Sequence, residues 1–151
     1  MSALDEKIVH RVREWMQYAD EDLRLARHGL TMSSSCPHRL IAFHAQQCAE
    51  KCLKAYLLYH RVDFPYTHDI AKLLTLCAEH AVWTQELQDA ERLTPYATTA
   101  RYPSKVGGVT RREALRAVQT AARVQKVVRK ALTEEGMILP KVSENQAKGK
   151  A

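Results

Sequence analysis

The chain has 151 residues, 46% hydrophobic and 26% charged, enough for one domain with its own core, which excludes wholesale disorder. Five glycines and five prolines, with few runs of Val, Ile or Thr, give no turn chemistry for a sandwich or barrel, and no stretch reaches the roughly 18 apolar residues of a membrane span. The N-terminus is acidic where a secretory leader would be apolar, so the four cysteines read as thiols of a cytoplasmic protein, and the net charge of +6 favours an anionic partner.

From Leu4 to Leu30 the residues Ile8, Val12, Trp15, Met16, Ala19, Leu23, Ala26 and Leu30 recur at steps of three and four, the signature of a helix with one buried stripe. Thr31 to Pro37 breaks the pattern with hydroxyl groups suited to capping and a proline suited to a first helical turn. A second helix, about Pro37 to Tyr59, is apolar over more than half its circumference and must be covered by several neighbours or by a second subunit. Its strip of Gln46, Glu50 and Lys54 is expected to meet water. Thr67 is expected to cap a short third helix through Ile70, Leu74 and Ala78. The stretch from Trp83 to Ala100, interrupted by Pro95, predicts a kinked or broken helix. Arg101, Tyr102, Pro103, Gly107 and Gly108 then predict a loop.

Thr110 opens the last helix, which should run to about Glu135 with Gly136 as terminator. On it Arg112, Arg116, Arg123, Lys126 and Lys130 stay within roughly 40° of one line, opposite Ala114, Ala117, Ala121, Val124 and Val128. The composition of residues 137–151 reads as a flexible polar tail, so residues 1–136 are expected to form a single domain.

Three segments in order carry a family resemblance: Phe43-His44-Ala45-Gln46-Gln47-Cys48-Ala49-Glu50-Lys51-Cys52-Leu53-Lys54-Ala55, then Thr67-His68-Asp69-Ile70, then Ala100-Arg101-Tyr102-Pro103. Together they resemble the signature helix, the helix-opening Thr-His-Asp segment and the loop before the last helix of the HEPN family. Trp15, Ala19, Glu21, Asp22, Leu23 and Ala26 are similar to its first helix, so the resemblance spans roughly residues 8 to 132. It implies an all-α up-and-down bundle of four main helices plus a short broken one, usually a homodimer. It also implies a nucleotide- or RNA-binding module, or an RNA-cleaving toxin, often paired with a minimal nucleotidyltransferase as antitoxin. Its ribonucleases carry an Arg, four to six residues and a His near the start of the last helix. Here the final histidine is His80, so Arg101, Arg111 and Arg112 have no such partner. Arg39 with His44 and Arg61 with His68 fit the spacing elsewhere, but thirteen arginines and seven histidines give about two matches by accident. Residues five apart on a helix also point about 140° from each other.

His44, Cys48 and Cys52 occupy successive turns at the spacing of a helical zinc pair, to which Cys36 or His38 could add a ligand. Small buried thiols in a core explain the cysteines better, and no metal or other cofactor is called for beyond a nucleotide as ligand. Lys51 lies near the line of His44 and could meet a phosphate. His68 and Asp69 stand where a helix begins, a place that favours anions and also caps. Arg101 and Tyr102 suit phosphate gripping and base stacking. Arg112 and Arg116 open the basic stripe. The expectation is therefore a nucleotide- or RNA-binding domain using Arg101, Tyr102, His68, Asp69, Lys51, Arg112 and Arg116, beside a nucleotidyltransferase partner. The alternatives are a metal-independent ribonuclease drawing on His44, His68 and Arg101, and a non-catalytic interaction module.

Overall fold

Ser2 and Thr110 open the two longest helices in the same way: each hydroxyl accepts the backbone N–H three residues on, and the acid there, Asp5 or Glu113, bonds back to the cap residue's N–H. Two orphan donors are satisfied reciprocally at each end. The computed structural model describes residues 2–99 and 108–142. Helix α1 spans Ala3–Gly29, α2 His38–Tyr59, α3 Ile70–Cys77, a 3-10 stretch Val82–Leu93, α4 Tyr96–Thr99 and α5 Arg111–Glu134. No strand occurs among the described residues. The fold is an all-α up-and-down bundle.

Helix α2 is the centre, packed against α1 on one side and α5 on another, with α3, the 3-10 stretch and α4 closing the remainder. Thirteen of its 22 residues are buried, as a helix apolar over more than half its circumference requires. Val12, Met16, Ala19, Leu23 and Ala26 of α1 meet it, and Ala114, Ala121, Val124 and Val128 of α5 complete the core. Alanines on these faces bring the helix axes close. At the α1–α2 corner a Cβ on Gly29 would stand 2.8 Å from Ile41 Cγ1, so only glycine fits without a shift.

Helix ends follow local chemistry. Gly136 ends α5 at φ +111, with Met137 N–H donating to Leu132 O at 2.9 Å, the six-to-one bond of a Schellman turn. The bond is continued by Tyr59 OH, which donates to Glu135 O, and by Tyr56 OH, which donates to the Glu135 carboxylate at 2.7 Å. These tie the C-terminal ends of α2 and α5 together. The kink expected near Pro95 is present, and a second one falls at Leu87, whose φ and ψ leave the helical region.

Four local expectations are corrected. Asp69, not Thr67, caps α3: its carboxylate accepts Lys72 N–H, while Thr67 Oγ1 accepts Asp69 N–H in a tight turn just before. Pro37 occupies the N-cap position of α2, with no side-chain cap, rather than its first turn. Residues 137–142 lie against the bundle rather than trailing from it, with Met137 buried and Leu139 packed on the core. The Gln46–Glu50–Lys54 strip is buried, because the connection from Arg61 to Asp69 folds back over it. The loop expected at Arg101 to Gly107, with Arg101 and Tyr102, lies outside the described residues. No helix among the described residues is long and apolar enough to cross a membrane.

Candidate functional site

His44, Lys51, Gln47, Lys54, Glu50 and Gln46 span an arc of about 160° around α2 at 100° per residue, forming its polar side. Two carboxylates organise it. Asp22 of α1 reaches one margin, with Oδ1 2.8 Å from His44 Nδ1 and Oδ2 2.6 Å from Lys51 Nζ. Glu50 holds the other margin. Its Oε1 is 2.8 Å from His68 Nδ1 and accepts Gln46 Nε2 at 3.2 Å, and its Oε2 accepts Lys54 Nζ at 2.8 Å. Gln46 also donates to His68 O at 3.0 Å and receives Gln47 Nε2 at 2.8 Å.

Glu50 and Lys54 are almost completely buried, which is tolerable only because every charged atom has a partner. The Lys54 ammonium also lies 5.9, 5.7 and 5.7 Å from the ring centres of Trp15, Phe64 and Tyr66. Aromatic faces attract a cation, and here they replace part of its lost hydration.

His68 is thus fixed by the buried carboxylate. A neutral imidazole that donates Nδ1–H to Glu50 keeps Nε2 as an acceptor, the arrangement in which a carboxylate orients a histidine for proton transfer. The ring borders an open groove of about 500 Å³ that Asp69, Arg92, Thr94 and Thr98 also line.

The structure brings His44 and Lys51 together through Asp22, and places His68 and Asp69 across the arc from them. Lys51 is already neutralised by Asp22. Arg112 and Arg116 lie elsewhere, exposed on α5. Arg123, on the same stripe, pairs with Asp89 of the 3-10 stretch. Among the described residues no carboxylate pairs with Arg112, Arg116, Lys126 or Lys130. Other basic side chains are held: Arg13, Arg111 and Arg129 by backbone carbonyls and Arg61 by Asp5.

Cys48 and Cys52 are wholly buried. The hydrogen bond to Cys52, together with burial, pushes the Cys48 thiol well above its usual range, and burial pushes Cys77 up to about 12. All four cysteines are free thiols. Groups of three His, Cys, Asp or Glu side chains placed to hold a metal ion are absent among the described residues.

Sequence reasoning missed Asp22 as the bridge between His44 and Lys51. The only signal was its place on α1, since the pairing depends on how α1 and α2 cross. Glu50 was visible through its spacing to Lys54, but its partnership with His68 crosses a loop.

A family model of the HEPN domain matches residues 12–131. Two solved structures are similar: an archaeal HEPN homologue, ST0689, at 27% identity and TM-score 0.63, and TT1696 from Thermus thermophilus, at 29% identity and TM-score 0.64. In each case the alignment covers 80% of this chain and 97% of the other. No curated protein matches the chain. With the family model covering most of its length and the same helical bundle in both structures, the chain belongs to the HEPN domain family.

Proposed function

We propose that the protein binds RNA or a nucleotide through its phosphates, drawing on Arg101, Tyr102, His68, Asp69, Arg112 and Arg116. The observation that carries this reading is a line of cations along one face of α5: Arg112, Arg116, Lys126 and Lys130 are exposed and no carboxylate pairs with them among the described residues. Unpaired guanidinium groups on one helix face suit the bidentate acceptors of a phosphate chain. Lys51 joins only by exchanging Asp22 for phosphate. On this reading the domain is a homodimer and works beside a minimal nucleotidyltransferase in a toxin–antitoxin-like pair. The test is a titration of single-stranded RNA and of ATP into native protein and Arg101→Ala. Binding weakened by the substitution is the expected result, and no binding of either ligand at low salt refutes it.

A second reading, a metal-independent ribonuclease, is favoured by one observation: the 2.8 Å contact that orients His68 against buried Glu50 beside an open groove. His68 Nε2 would take the proton of the attacking hydroxyl. RNA cleavage by native protein that disappears in His68→Ala supports it; intact RNA after prolonged incubation rejects it.

A further inference from the structure

The segment after Gly136 returns across α1 and α5. Met137 is buried, Ile138 exposed and Leu139 packed on the core, the alternation of an extended strap on a surface. Two guanidinium groups hold its backbone: Arg13 of α1 donates to Ile138 O at 2.9 Å, and Arg129 of α5 donates to Pro140 O at 2.5 Å. Arg129 shares with Lys126, Lys130, Thr133, Glu134 and Val142 a groove of about 550 Å³. One acid there faces three cations.

A carbonyl oxygen is a neutral acceptor, and a phosphate oxygen makes a hydrogen bond to arginine about twice as strong. The two strap carbonyls therefore occupy, at low cost, the positions that phosphate oxygens would take. Both tethers are exposed, and from Ile138 to Val142 no side chain makes a hydrogen bond among the described residues.

We propose that the C-terminal half of α5 is a second phosphate-binding groove, bordered by residues 138–142 of the same chain and completed when an RNA backbone displaces this strap from Arg129. The proposal rests on the RNA reading above and adds to it a regulated subsite. With the strap seated the groove offers Lys126 and Lys130; with the strap released it offers Arg129 as well. Glu14 and Asp20 line the α1 side of the strap, so the phosphates run along α5.

The test is a salt-dependent titration of a single-stranded oligouridylate into four chains: native, Leu139→Gly, Arg129→Gln and the double variant. Leu139→Gly removes the strap's second apolar anchor and leaves the Gly136 turn and Met137 in place. It is expected to tighten binding about tenfold, the scale of one charge-assisted hydrogen bond, and to steepen the slope of log affinity against log salt by about 0.7 for the one added contact of Arg129. Arg129→Gln is expected to weaken binding more in the Leu139→Gly background than in the native chain. Equal affinities and slopes for native and Leu139→Gly, with the same effect of Arg129→Gln in both, would overturn the strap and leave the RNA reading intact. Failure of both native and Leu139→Gly chains to bind at low salt overturns the RNA reading itself. Should Leu139→Gly lose its helices by circular dichroism, removal of residues 140–151, which deletes the Pro140 acceptor together with Lys141, Lys148 and Lys150, provides a second background in which Arg129→Gln is expected to weaken binding more than it does in the native chain.

Discussion

Glu50 and Lys54 stand one helical turn apart inside the protein, 2.8 Å from each other, with side chains only 5% and 6% exposed. An i,i+4 pair of this kind on a surface contributes a few tenths of a kcal/mol. Buried, it behaves differently, because removing one partner strands the other. Glu50→Ala leaves the Lys54 ammonium with aromatic rings alone and is expected to destabilise the fold by about 3–5 kcal/mol. Chemical denaturation measures this directly, and a loss below about 1 kcal/mol would mean that the strip is hydrated after all.

Asp22 bonds to both His44 and Lys51. Asp22→Asn keeps the shape but removes the charge, with an expected loss of about 1–3 kcal/mol for the two charge-assisted bonds. The same change frees Lys51, so RNA affinity should rise while stability falls. Thermal melting and an RNA titration on one preparation separate the two effects. Affinity unchanged or lowered would show that Lys51 takes no part.

Burial raises Cys77 to about 12, and the hydrogen bond to Cys52, together with burial, lifts Cys48 in the same direction. In the unfolded chain these thiols ionise near their ordinary value, whereas in the folded protein they stay protonated. Their stabilising effect is therefore complete below about pH 8.5 and declines as pH rises toward the folded value, by up to about 1.4 kcal/mol per pH unit for each thiol. Denaturation midpoints across that alkaline window should fall, and Cys77→Val should flatten part of the decline. A thiol reagent applied to native protein should label Cys36, the one partly exposed cysteine, before the other three.

Gly136 holds φ +111, a backbone region that L side chains rarely enter. Gly136→Ala is expected to cost about 1–2 kcal/mol and to loosen the turn that presents Met137. A melting temperature equal to that of native protein would contradict this account of how α5 ends.

Much of the fold was legible because its signals are local. The three- and four-residue spacing marked α1 and α5, Thr110 and Gly136 marked the ends of α5, and Pro95 marked the break before α4. The apolar girth of α2 announced a central helix. Exposure was harder to read. Gln46, Glu50 and Lys54 look like a solvated strip because their residue types usually are, and only the return of residues 61–69 over them, with His68 landing on Glu50, reverses that. Thr67 failed as a cap for a similar reason: two adjacent residues could each cap α3, and the turn geometry chose Asp69. At the candidate site, the basic stripe followed from helical periodicity alone, but which of its members were already paired did not. Arg123 lost its freedom to Asp89, and Arg129, off the stripe, is held by a carbonyl 11 residues further on.

The most direct measurement of the central claim, that unpaired cations on α5 grip phosphates, is the salt dependence of RNA binding by native protein and by the double variant Arg112→Glu, Arg116→Glu. Each lost phosphate contact on a single strand lowers the slope of log affinity against log salt by about 0.7. The expected result is weaker binding at every salt concentration and a slope shallower by about 1.4. Identical affinity and slope in the two proteins would contradict the claim.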